Sequence, residues 1–307
     1  MKRSSESIYF GFAPSDIANN INPHYRLPEE LLSLNNTANL SGVGYELELE
    51  DNFEATPVID NLPVFLGVHQ PSASIDVLDQ NQREQSLDKI KRAMKMAHRI
   101  TADYFTIHLQ TVDKWNELCN RHATNHSSLE VFKGLSDFYS EQNFKYSMLI
   151  ENLEYPKYPA TTEEITEVID YLSKNITIPT GVLLDVGHLW RTRNIMAENN
   201  FYHKGDSMPF TEYLSDALDT VGDSVKAMHI TGCGGYKTHL LPQLESEAPN
   251  DRSAYPDEYF FKNIARIVLK FGFDKGTTEK PFIFVNEAFG YPYEEVIENS
   301  RGVANII

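Results

Sequence analysis

Imidazoles and carboxylates recur in this sequence at the ends of short apolar runs. VFLGVH ends in His69 and YFTIHL carries His108. YSMLIEN ends in Glu151 and Asn152. GVLLDVGH supplies Asp185 and His188, VKAMHITG carries His229, and PFIFVNEA carries Glu287. These side chains bind divalent transition metals, and the set needs no thiolate. Mixed nitrogen and oxygen donors favour Zn, Mn, Fe or Co over Ca or Mg, as one or two ions. Two carboxylates in one site can also divide into base and acid when burial and a nearby cation separate their pKa values. A single His at a strand end is more often structural, and Asp185 alone reads as a helix N-cap. Recurrence along the chain is what favours the ligand reading.

The elements that must position these residues follow from the same runs. Each is short, apolar and bounded by turn residues, as in strands buried on both faces. Strands are predicted at 7–13, 44–50, 64–69, 104–109, 146–152, 181–188, 225–232 and 281–288. Helix signals fall between most of them. Pro28 with Glu29 and Glu30 marks a start. Leu87, Ile90, Ala93, Met94 and Ala97 form an apolar stripe over 83–100. Further helices are expected around 129–139, after Thr161-Thr162-Glu163-Glu164, over 209–221 with Phe210, Tyr213, Leu214 and Ala217 on one face, over 259–271, and within 291–307. Such alternation implies right-handed βαβ units and a parallel sheet. Eight units close most naturally into a (β/α)8 TIM barrel of the α/β class with outer helices, here one domain over 1–307. A barrel gathers its strand ends at one mouth, so His69, His108, Glu151, Asp185, His188, His229 and Glu287 are expected to converge there. Long polar loops at 191–206 and 234–254 fall on that face. In the alternating run GYELELE, Tyr45, Leu47 and Leu49 face outward and Glu46 and Glu48 inward. Buried acids are costly unless paired. Glu48, nearer the carboxyl end, is the candidate substrate contact, and a solvated edge strand reads equally well.

Composition bounds the function. The 307 residues are 41% hydrophobic and 23% charged, as in a soluble globular protein, with a formal net charge of −17. That charge disfavours nucleic acid and anionic lipid as partners, while leaving room for a local basic groove. It suits a protein that concentrates cations. Two cysteines, Cys119 and Cys233, imply no disulfide framework. With no signal-peptide core or transmembrane run, a cytoplasmic location, no membrane partner and unglycosylated sequons are expected. A homo-oligomer is compatible with the sequence.

The ordered set FLGVHQP, FTIHLQ, LIENL, LLDVGHLW, MHITG and VNEAF resembles the xylose isomerase-like TIM barrels, which include endonuclease IV and sugar isomerases and epimerases. The resemblance runs from about residue 64 to 288. It implies a single-metal site on Glu151, Asp185, His229 and Glu287 in the epimerase manner, with His188 as a substrate or outer contact. In the endonuclease IV manner it adds His69 and His108 and shares Glu151 between two metals. A third metal there needs His188 and an Asp-x-His pair. Here that stretch reads Lys237-Thr238-His239, so His239 matches but the Asp does not. Gln70-Pro71-Ser72 and Leu109-Gln110 also depart from that pattern. The run 208–232 is similar to iron-dependent peptide-modifying barrels, although DVGH lacks the asparagines that follow their Asp.

The reading these features favour is a metal-dependent isomerase or epimerase of a small sugar or polyol. A metal would hold two adjacent oxygens and stabilise an enediolate, while Glu151 and Glu287 exchange the proton from opposite faces. His188 would orient a substrate oxygen, and Arg191, Arg193 and His239 are further candidate substrate contacts. A solvated loop is the stronger reading for the two arginines. The alternatives are metal-assisted hydrolysis of abasic DNA, oxidative modification of a peptide by an iron pair, and metal binding without turnover. His24, His98, His122, His126 and His203 carry no partner pattern. Cys233 reads as a small loop residue, Trp190 alone makes no sugar platform, and Asn152 orients its neighbour or caps a helix.

Overall fold

The computed structural model describes residues 8–13, 24–26, 42–48, 58–60, 65–71, 77, 81–109, 121–155, 157–198, 209–230, 258–277 and 280–287. The expected helices near residue 28 and over 291–307, the loop 234–254, His203, His239 and both cysteines lie outside them. The fold class is the parallel (β/α)8 barrel, and its elements fall into two compact units.

One unit comprises 1–47, 57–65 and 227–307. It holds β1 (Ile8–Ala13), β2 (His24–Arg26), β3 (Gly42–Glu48, all but its last residue), β4 (Val58–Asp60), most of β9 (Val225–His229), β10 (Phe282–Glu287) and α6 (Glu258–Lys275). β1 pairs in parallel with β3 and with β10, and β10 with β9, Val285 opposite His229. β2 and β4 form a separate parallel pair that the sequence pattern did not announce. Neither run is long enough to show a period. β3 begins two residues earlier than expected. A two-residue shift preserves strand alternation. Tyr45 and Leu47, on one face, are buried.

The other unit comprises 48–56 and 66–226. Its four strands are β5 (Leu66–His69), β6 (Tyr104–Ile107), β7 (Ser147–Glu151) and β8 (Thr180–Asp185), paired in parallel in that order. Around them lie α1 (Arg83–Arg99), α2 (Arg121–Gln142), α3 (Thr162–Asn175), α4 (Val186–Glu198) and α5 (Phe210–Val221). The stripe read from α1 is the face it buries. Ile90, Ala93, Met94 and Ala97 enter a core with Phe105, Phe132, Met148 and Ile150, and Leu87 packs at its margin. α5 buries Phe210, Tyr213, Leu214 and Ala217 together with Leu218 and Val221.

α3 opens as its sequence indicates. Thr161 Oγ accepts from Glu164 N–H at 3.3 Å, and the Glu164 carboxylate accepts from the backbone of Thr161 and, at 2.8 Å, Ala160. This is a complete capping box.

The sixth predicted strand, 181–188, needs correction. The ladder stops at Asp185, and His188 belongs to the first turn of α4. Asp185 Oδ1 accepts the His188 N–H at 2.5 Å, so the carboxylate caps a helix that begins at once. The polar stretch 191–206 is likewise not all loop, since α4 continues to Glu198. Arg191, which is buried, and Arg193 therefore ride on a helix rather than in a solvated loop.

Candidate metal centre

Register explains which side chains meet in the unit of β5 to β8. His69 lies opposite Thr106, and Ile107 opposite Ile150. His108 is two residues beyond Thr106, and Glu151 one beyond Ile150. Strand alternation therefore turns His69, His108 and Glu151 to one face. Their donor atoms form a near-equilateral triangle. His69 Nε2 is 3.0 Å from His108 Nε2 and 3.1 Å from Glu151 Oε2, and His108 Nε2 is 3.0 Å from the same oxygen. Glu151 is 1% exposed and His69 3% exposed.

One proton per imidazole does not satisfy this triangle. His69 Nδ1 contacts the Gln70 carbonyl at 2.7 Å. A carbonyl only accepts, so the His69 proton sits on Nδ1 and Nε2 carries a lone pair. The Glu151 oxygen is also an acceptor. A proton on His108 Nε2 can serve one neighbour and leaves the other facing a lone pair. Burial holds the His108 imidazole below the usual histidine range. Glu151 opposes that shift, and the His69 and His108–His188 interactions add to it. A second proton on His108 is therefore disfavoured. One divalent cation would satisfy all three donors, since bond lengths of about 2.0–2.2 Å let donors at this spacing share an ion. The residues fit a metal, and these three form a group of metal-binding character.

Around the triangle lies a scaffold of hydrogen bonds. Asn152, fully buried, donates to the Asp185 carbonyl at 3.0 Å and accepts from Asp185 N–H at 2.7 Å. Its side chain thus continues the β7–β8 ladder one residue past the strand. Beyond it, Thr192 Oγ on α4 accepts from Tyr155 N–H at 3.0 Å and reaches the Leu153 carbonyl at 3.4 Å. Glu154, between those residues, lies with Oε2 3.1 Å from His188 Nδ1 and Oε1 2.7 Å from Lys157 Nζ. Burial is the largest influence on its carboxyl and opposes ionisation. His188 and Lys157 outweigh it and hold the group at about 2. His188 Nε2 is 3.7 Å from Glu151 Oε1, too far for a hydrogen bond.

In the other unit His229 pairs with Glu46, Nε2 to Oε1 at 3.1 Å, and both are almost wholly buried. Glu287 and Glu48 occupy the last positions of β10 and β3, and their side chains lie outside the described residues. His98 and His126 are exposed, and the His98 ring rests against Phe144.

Sequence reasoning missed two residues. Glu46 was visible in the alternation that also carries Glu48, but alternation alone did not mark its pairing with His229. Glu154 follows Glu151 by three positions in a loop, where no periodicity marks it.

The family described as the xylose isomerase-like TIM barrel matches residues 53–277, well over half the chain. No curated protein matches by sequence at a significant level. Solved structures that share the fold include endonuclease IV from Thermus thermophilus, 14% identical, with a TM-score of 0.53 over 97% of this chain and 98% of that one. D-psicose 3-epimerase from Clostridium cellulolyticum is 12% identical, with a TM-score of 0.54 over 97% and 96%. The 3-keto-D-glucoside 4-epimerase of E. coli is 10% identical, with a TM-score of 0.50 over 98% and 100%. At these identities the likeness is one of fold. By the extent of the family match, this chain belongs to the xylose isomerase-like TIM barrel family.

Proposed function

We propose that the protein is a divalent-metal-dependent isomerase or epimerase of a small sugar or polyol. The observation that carries the metal dependence is the triangle of His69, His108 and Glu151, whose facing lone pairs a cation resolves. One or two ions of the Zn, Mn, Fe or Co class suit this nitrogen and oxygen set. Bound there, an ion would supply a Lewis acid that draws charge from adjacent substrate oxygens. Net charge supports a neutral substrate. At −17 the chain repels polyanions and tolerates a neutral polyol.

In this reading Glu151 moves a proton at a substrate C–H, with Glu287 as its counterpart on the other face. The His188 imidazole, beside Glu151, orients a substrate oxygen through Nε2. Arg191, Arg193 and His239 are proposed substrate contacts, and Glu48 a further one.

The test is incubation of metal-loaded protein with a panel of ketoses and aldoses in deuterated water. Deuterium entering at carbon, lost in Glu151→Gln, is the expected result. No exchange with any sugar, together with turnover of another substrate class, would remove the reading.

A second reading has one specific observation in its favour. The two histidines beside Glu151 match the endonuclease IV manner better than the single-metal manner, so hydrolysis of a phosphodiester is the alternative. Nicking of an abasic duplex by the metal-loaded protein would reverse the order of the two.

A further inference from the structure

The ladder between β7 and β8 ends where Glu151 faces Leu183. Two residues on, Asp185 closes β8 and α4 begins. A side chain bridges the two chains there. Asn152 Nδ2 donates to the Asp185 carbonyl at 3.0 Å, and Asn152 Oδ1 accepts from Asp185 N–H at 2.7 Å. A carboxamide carries a donor and an acceptor side by side, so it engages both backbone groups of Asp185 at once. Asn152 is fully buried, so bulk water does not compete for these bonds. Both ends of the bridge are fixed. Next to Asn152, Leu153 N–H donates to the Pro159 carbonyl at 2.7 Å, and the Leu153 carbonyl accepts from Thr192 Oγ at 3.4 Å. At the other end, Asp185 Oδ1 accepts the His188 N–H at 2.5 Å, which holds the carboxylate as well as the peptide. Asp185 lies two residues beyond Leu183, so alternation turns it to the face that Glu151 occupies. Their carboxylate oxygens come within 4.8 Å of each other, and both residues are buried.

We propose that Asn152 is a positioning residue whose amide sets the distance between the Glu151 and Asp185 carboxylates, so that the two can share a cation. Two carboxylates this close push apart, and the push falls on the strand ends that carry them. The ladder no longer joins the chains at that point. An uncharged amide, one residue from Glu151 and bonded to both sides of the Asp185 peptide, resists the separation without adding charge. A metal-binding pair gains from being held in place beforehand, because the ion then does not have to gather its own ligands. The proposal deepens the reading of a metal site on Glu151. It rests on that reading for its consequence but not for its geometry.

The experiment pairs crystal structures of the metal-free wild type and Asn152→Ala with calorimetric Zn2+ titration of both. The titration also takes in Asp185→Asn, alone and combined with Asn152→Ala. In the wild type the Glu151 and Asp185 oxygens are expected within 4.8 Å, and in Asn152→Ala they should lie farther apart. Zn2+ binding should weaken roughly 10–100-fold in Asn152→Ala. Asp185→Asn should weaken it as well, and adding Asn152→Ala to that variant should cost little more, because both changes act through one carboxylate. Should Asn152→Ala not fold, Asn152→Ser, too short to span both peptide groups, must show a shift in the same direction. An unchanged separation overturns the proposal, as does full additivity of the two substitutions. If the wild type takes up no Zn2+ while the carboxylates still separate without Asn152, the metal reading fails and the positioning role stands.

Discussion

At the scale of single residues, the informative feature is how few protons the buried polar atoms share. Glu46 and His229 show the simplest case. A fully buried imidazole has its Nε2 on a carboxylate 183 residues away in sequence. Removing that acceptor strands a buried N–H. Glu46→Ala should cost roughly 1–3 kcal/mol, read as a lowered urea midpoint, and Glu46→Gln clearly less. Glu154 carries a pH signature. Its carboxyl is held at about 2 against an ordinary 4.5, so the ionised form is favoured on folding. Its contribution is whole above about pH 4.5 and is lost as the pH falls toward 2. Stability measured across that window should fall less steeply in Glu154→Gln than in the wild type. An equal slope in the two proteins would contradict this account of Glu154.

At the scale of elements, packing tolerances replace proton counts. Gly67 in β5 lies against the Tyr104 ring of β6, and a Cβ there would overlap its Cζ and Oη atoms. Tyr104 is buried and cannot swing into solvent. Gly67→Ala is therefore predicted to cost about 1–3 kcal/mol, with a lower denaturant midpoint at unchanged slope. A neutral result would mean that the β5–β6 contact yields more easily than this packing implies. Elements were legible where periodicity spans several turns. The α1 stripe, the α5 face and the Thr161 capping box all follow from spacing and cap chemistry. Strand ends were less legible. Asp185 ends β8 and caps α4 at once, and an apolar run does not reveal where a ladder gives way to a helix. The three-residue strands β2 and β4 carry no period at all. In the site, His69, His108 and Glu151 were readable because they close apolar runs. Glu154 was not, and Glu46 showed as an inward acid without its partner, because their importance is a matter of which partner the folded chain brings to them.

At the scale of the whole molecule, charge and family set the bounds. A net charge of −17 opposes non-specific attraction to phosphates. Among the described residues no helix is long and apolar enough to cross a membrane. Duplex DNA is therefore expected to bind no more tightly than the weak end of non-specific association, with a Kd of about 10⁻⁴ M or above at physiological salt. Fluorescence anisotropy with an abasic duplex measures this directly. Micromolar binding that weakens steeply with salt would favour the phosphodiester alternative. Family membership fixes the barrel but leaves the reaction to the site.

A cation held by His69, His108 and Glu151 is central to the proposed chemistry. Its most direct test is elemental analysis of the purified protein, paired with calorimetric titration of the metal-free form by Zn2+ and Mn2+. At least one equivalent bound per chain is predicted, with affinity falling by tenfold or more in His69→Ala, His108→Ala and Glu151→Gln. A wild type that binds neither ion, or variants that bind as tightly as the wild type while remaining folded, would contradict it.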